Sequence, residues 1–159
     1  MSDTDTSLQL VTFRLGDEQY GIDIMEVEGI VRIEDVRAVP NAPSYVEGIF
    51  NLRGEIIPVI NLHRRFQIRR AELSEEDRLL SGFVIVNVEG RRLAIRIDRV
   101  SGVVTITTDQ VQPPPQVITG IGTEYVEGVV SHDDRYLIIL DTQRLFNATE
   151  LQQLERMQR

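Results

Sequence analysis

The chain repeats itself, and that constrains its fold more than any other feature. Tyr45-Val46-Glu47-Gly48 recurs as Tyr125-Val126-Glu127-Gly128, and at the same offset of 80 residues Arg64 matches Arg144 and Phe66 matches Phe146. Six identities fall within 22 positions, where composition alone gives roughly one or two. A second register has an offset of 73: Val11, Ile22, Ile24, Val27, Gly29, Val31 and Ile33 match Val84, Ile95, Ile97, Val100, Gly102, Val104 and Ile106. Both registers keep the same order along the chain, and their difference of seven residues falls in the segment holding QPPPQ, Gln112 to Gln116. A proline run donates nothing to a ladder, so this segment reads as an inserted loop. Two halves result, near 8–68 and 83–146, with AELSEEDRLLSG between them.

Each half reads as β structure. LQLVTFRL (Leu8 to Leu15) alternates imperfectly, GDEQY turns, and GIDIMEV alternates again, which is the pattern of a hairpin. In the second half FVIVNVEGRRLAIRIDRV does the same around a Glu-Gly turn. The runs IIPVINL and YLIILDT follow in the corresponding places. Short strands with close turns, in a duplicated half of about sixty residues, suit a small five- or six-stranded barrel. Two helices interrupt this all-β reading. SEEDRLL carries an N-capping serine ahead of acids and leucines, and 147–159 opens with Asn147 three residues before Glu150, then places Leu151, Leu154 and Met157 at helical spacing. The narrow apolar stripe of that C-terminal helix is read as docking on the core.

Composition removes whole classes of function. The chain contains no cysteine, so disulfides, thiolate catalysis and thiolate zinc sites are excluded. Asp and Glu number 25 against 17 Lys and Arg, a formal charge of −8, and affinity for a phosphate backbone comes from Lys and Arg, so no nucleic-acid partner is expected. The run RRFQIRR, Arg64 to Arg70, is read as a solvated strand exit. The polar start MSDTDTSLQL lacks a signal-peptide pattern, and the apolar runs fall far short of the ~20 residues that span a bilayer. The chain therefore reads as soluble and intracellular, with no direct membrane insertion.

Enzymatic chemistry finds little support. His63 and His132 are the two histidines, neither beside a patterned serine, aspartate or metal-ligand set, and both are read as surface residues. GIGTEYVEG, Gly120 to Gly128, lacks the Lys-Ser/Thr ending of a phosphate cradle. Asp98, Asp133, Asp134 and Asp141 could form a carboxylate pair, but acids are abundant throughout, and SHDDR reads as a hairpin turn. No catalytic residue, metal site or cofactor is expected. What remains is surface. Gly48 and Gly128 sit where a side chain would obstruct backbone conformation or close approach, and Pro58 argues that its strand lies at an edge or a bulge.

Asn51-Leu52-Arg53-Gly54 followed by Ile56-Ile57-Pro58-Val59-Ile60-Asn61-Leu62 resembles the CheW family of chemotaxis coupling proteins, as do GDEQYGIDIMEV, IDRVSGV and YVEGVV with LIILD, over roughly residues 10 to 146. The resemblance implies one CheW-like domain over 1–159, built as two similar five-stranded β-barrels side by side with a short linker helix and a C-terminal helix. It also implies a non-enzymatic adaptor that joins chemoreceptor cytoplasmic tips to the regulatory domain of a chemotaxis histidine kinase, in the cytoplasm at membrane-associated receptor arrays. By position, Val27, Ile30 and Val100 line a receptor groove, and Gly48 and Gly128 match glycines tied to partner binding. Arg53 either meets a partner with its forked guanidinium or ties its own loop down by an internal ion pair. Where many members carry a glutamate two residues after Val27, this chain has Gly29, so that contact is lost or moves to Glu28. The alternatives are the same coupling domain in another chemosensory or motility pathway, and a small barrel enzyme using paired carboxylates.

Overall fold

The computed structural model describes residues 6–32, 35–68, 73–114, 125–132 and 134–158. Among these residues ten strands and three short α-helices follow in order: β1 (Ser7–Leu15), β2 (Glu18–Asp23), β3 (Val27–Val31), β4 (Val46–Leu52), β5 (Glu55–Asn61), α1 (Leu62–Phe66), α2 (Glu75–Leu80), β6 (Gly82–Val88), β7 (Arg91–Ile97), β8 (Arg99–Thr107), β9 (Val126–His132), β10 (Arg135–Leu140) and α3 (Ala148–Met157). No helix among the described residues is long and apolar enough to cross a membrane.

The strands form two five-stranded sheets, ordered β8-β1-β2-β10-β9 and β3-β6-β7-β5-β4. Neither sheet is one half of the sequence. The first takes the hairpin β1–β2 from the leading half and β8, β9 and β10 from the trailing half, and the second takes β6–β7 from the trailing half and β3, β4 and β5 from the leading one. Substituting each strand by its repeat partner turns one order into the other. The expectation that each sixty-residue half makes its own barrel is therefore corrected: the halves exchange their first hairpins. Each hairpin docks by parallel pairing, β2 on β10 and β7 on β5. A two-stranded hairpin is barely stable alone and needs further strands beside it.

The apolar residues sort by alternation into three clusters. Phe13, Tyr20 and Ile22 from the first sheet meet Val84, Ile95 and Ile60 from the second in the main core between them. The intervening residues point the other way. Phe50, Ile57, Phe83 and Ile85 gather on the far face of the second sheet, and Leu10, Ile106, Val130 and Ile139 on that of the first. Phe50 on β4 and Phe83 on β6 stand three places apart in sheet order, yet their ring centroids are 5.1 Å apart, so the sheet curls around its own small core. Curling stops short of closure: among the described residues no ladder joins β3 to β4 or β8 to β9. A bridging segment meets the outer edge instead. Arg37 exchanges two backbone hydrogen bonds of 2.8 Å with Ile49 on β4, and Gln112 exchanges bonds of 2.9 and 2.8 Å with Val129 on β9.

Pro58 is not at an edge, because β5 lies between β7 and β4. Ile49, its partner on β4, gives its own N–H and C=O to Arg37, which makes Ile49–Pro58 a non-hydrogen-bonded pair and turns the proline nitrogen toward β7. Register with β7 begins only at Val59, so no ladder bond is lost.

Both helical caps form as read. Ser74 accepts from the Asp77 N–H at 3.1 Å, and Asn147 and Glu150 make the reciprocal capping box at 2.8 and 2.9 Å. Leu151 and Leu154 of α3 are buried in the main core, as the docked reading expects.

Candidate functional site

The YVEG segment of each half is built around a bulge. β4 pairs Val46 with Ile60 and Gly48 with Val59, skipping Glu47, and β9 pairs Val126 with Leu140 and Gly128 with Ile139, skipping Glu127. An extra residue re-aims its side chain and bends the strand. The next residue, glycine in both copies, lies under the bridging segment. A Cβ on Gly48 would stand 2.1 Å from the Arg37 carbonyl oxygen and 2.9 Å from a Val36 methyl, at a φ of +156°. On Gly128 it would stand 2.4 Å from a Val111 methyl and 2.9 Å from the Gln112 oxygen. Both glycines thus have a structural reason to be glycine: they let the segment that covers a sheet edge cross it closely.

The two bulged glutamates differ in company. Glu47 pairs with Arg96 at 2.7 Å and accepts from Asn61 at 2.9 Å. In the other copy the positions of Arg96 and Asn61 are held by Asp23 and Asp141. Partial burial, followed by the charges of Asp141, Glu26 and Asp23, pushes the Glu127 carboxyl up from its ordinary range.

Arg53 occupies the two-residue loop between β4 and β5. Its φ of +52° and the +89° of Gly54 mark a type I′ hairpin turn, and the Asn51 side chain accepts from the Gly54 N–H at 2.8 Å. The guanidinium is exposed, and no hydrogen bond or ion pair to it is found among the described residues. Arg53 and Ile30, which is 45% exposed on β3, line one cavity of about 440 Å³ together with Leu52, Ile85 and Arg92. Arg92, in the lining of this cavity, pairs with Glu28 at 3.0 Å and also with Glu55. Glu28 also accepts from Asn87 at 3.1 Å, so its carboxylate is engaged within the chain. At Gly29 a Cβ would meet nothing within 4 Å.

Val27 and Val100 are separate from that cavity. They are repeat partners on β3 and β8, each half-buried and packed against the main core. The three groove residues therefore divide into two packed on the core and one exposed beside Arg53.

A second cavity, of about 420 Å³, opens on the first sheet. Its lining repeats the first at six positions: Thr12 for Ile85, Gln19 for Arg92, Ser101 for Glu28, Val104 for Val31, His132 for Leu52 and Arg135 for Glu55. The chemistry has diverged. Where Arg92 ties two carboxylates together, Ser101 donates one neutral hydrogen bond of 3.0 Å to Gln19.

Sequence reasoning misjudged His63. It is 4% exposed, with its Nε2 3.0 Å from an Asp98 oxygen that also accepts from the Gly16 N–H at 2.8 Å. The Asp98 side chain thus joins α1 to the β1–β2 turn, whereas Asp141 accepts from the Arg144 Nε–H at 2.8 Å and its charge also bears on Glu127. RRFQIRR is misread as well in its first part: Arg65 is largely shielded, Phe66 is buried, and Arg69 and Arg70 lie outside the described residues. Asp133 and residues 115 to 124 lie outside them too. Among the described residues no group of His, Asp and Glu could hold a metal ion.

The sequence profile of the CheW-like domain matches residues 9–150. The chain is 58% identical over 154 residues to the chemotaxis protein CheW of Treponema pallidum, covering 97% of this chain and 91% of that protein. It is 32% identical over 143 residues to the chemotaxis protein CheW of Klebsiella aerogenes, covering 90% and 84%. In three dimensions it resembles the scaffolding protein TtCheW from Thermoanaerobacter tengcongensis, with a TM-score of 0.81, 36% identity and 94% of each chain covered.

Proposed function

The chain belongs to the CheW-like family, and on that premise we propose that it couples chemoreceptor cytoplasmic tips to the regulatory domain of a chemotaxis histidine kinase, working in the cytoplasm at receptor arrays. It is a chemotaxis adaptor and not an enzyme. Ile30, Val27 and Val100 serve the receptor contact, with Ile30 offering the exposed apolar side chain, Val27 setting the strand that carries it and Val100 setting the matching strand of the other sheet. Arg53 serves a partner contact, with Gly48 and Gly128 shaping the sheet edges on either side.

One observation carries this assignment. Arg53 is held on a hydrogen-bonded two-residue turn, exposed and without an internal partner among the described residues, in the same cavity as the exposed Ile30. A guanidinium presented to solvent from a defined turn can form forked bonds to a partner carboxylate while contributing little to its own fold. Arg53→Ala should leave the unfolding midpoint within about 0.5 kcal/mol of the wild type and weaken binding to an isolated kinase regulatory domain or receptor-tip fragment by about tenfold. Calorimetric titration of both fragments tests this. Equal affinities for wild type and variant with both fragments would overturn the role of Arg53.

A further inference from the structure

Arg65 stands on α1 with its guanidinium 4.8 Å from the ring centre of Tyr45, 5.3 Å from that of Tyr125 and 5.3 Å from that of Phe146. Glu150 of α3 takes both ends of the fork at 2.6 and 2.8 Å, and the same group donates to the Leu145 carbonyl at 2.8 Å. Tyr45 and Tyr125 are repeat partners, and so are Arg65 and Leu145, each pair 80 residues apart. A group that touches both members of one pair and its own counterpart lies on the axis that relates the halves. The tyrosines lead into β4 and β9, which sit at the edges of different sheets. Most of the core between the sheets is apolar, and apolar burial is non-directional; buried Asp98 supplies one directional tie between them, to Gly16 and Arg14 at the β1–β2 turn, away from the axis. The forked ion pair and the cation over three rings are directional.

We propose that Arg65 is the positioning residue that fixes the angle between the two sheets, and with it the relative placement of the partner surfaces each sheet carries. The functional half of this inference rests on the adaptor reading above, whereas the geometric half does not. The side chain acts through the two tyrosines and touches no partner.

The chain has no cysteine, so Gln9→Cys on β1 and Glu89→Cys in the β6–β7 turn place two spin labels on exposed positions of opposite sheets. Pulsed electron resonance should give one narrow distance for the wild type. Arg65→Lys, which keeps the charge and loses the fork, should broaden or shift it by several ångström, and the neutral double variant Arg65→Met/Glu150→Gln should do so further. Glu155→Gln, which removes the Arg91 pair of the same helix, should leave it narrow. In a reconstituted system with saturating adaptor, Arg65→Lys should lower receptor control of the kinase several-fold while each pairwise affinity stays within about twofold. Unchanged distances in Arg65→Lys would overturn the proposal, and so would distances disturbed equally by Glu155→Gln. A loss of signalling matched by loss of affinity would overturn its functional half. If the double variant fails to fold, Arg65→Lys alone decides. A wild type that binds neither partner would refute the adaptor reading and leave the distance test standing.

Discussion

At the scale of single residues, the repeat acts as an internal control. Gly48 and Gly128 answer to the same constraint with different severity, because the obstacle at Gly48 is backbone and the nearest one at Gly128 is a valine methyl. Gly48→Ala should cost about 2–4 kcal/mol and Gly128→Ala less, read as shifts in urea midpoint. Gly29 is the opposite case. Since a Cβ there meets open space, Gly29→Glu should leave stability within about 0.5 kcal/mol and act on receptor preference alone, which titration against two receptor tips would show. Glu127 adds a pH signature. Its folded carboxyl is pushed up by burial and by neighbouring acids, so it takes up protons more readily folded than unfolded. Stability from this group rises as pH falls through its raised value, and Glu127→Gln should raise the melting temperature at neutral pH while converging with the wild type in acid.

At the scale of elements, caps and alternation were legible in the sequence and pairing partners were not. The Ser74 and Asn147 caps, the two opening hairpins and the burial of Leu151 and Leu154 follow from local chemistry. The place of Pro58 does not, because whether a proline nitrogen meets a ladder depends on a neighbour's register. His63 was misjudged for a similar reason: its partner lies 35 residues away. The linker helix α2 depends on another such long-range tie. Hydrogen bonds from Arg99 and Arg14 hold the Asp77 carboxyl down at about 2. A lowered folded value means the contribution is whole above the ordinary carboxylate range and is lost as pH falls toward 2. Amide exchange in α2 should therefore rise in that window ahead of exchange in β6 and β7. For α3, Leu154→Ala should cost about 2–4 kcal/mol, and Asn147→Ala about 1 kcal/mol.

At the scale of the whole molecule, the duplication foretold two matching sheets and the family resemblance foretold two five-stranded units. Neither foretold the exchange of hairpins between halves, since a repeat looks the same to sequence whether each copy pairs with itself or with its twin. The candidate site was legible to a similar depth. Arg53 and Ile30 converge on one cavity, whereas the duplicate cavity opposite, with its changed charges, appears only when both registers are laid over the fold.

The hairpin exchange has an ancestral consequence. Two separate copies of a sixty-residue chain could have built the same pair of sheets as a domain-swapped dimer, and a dimer of identical chains must place the same residue on both sides of its axis. Two arginines there would face each other at the centre. In one polypeptide the copies are free to differ, and here the axis holds a single arginine opposite a leucine. A continuous chain thereby permits a centre that no symmetric assembly of identical halves could possess.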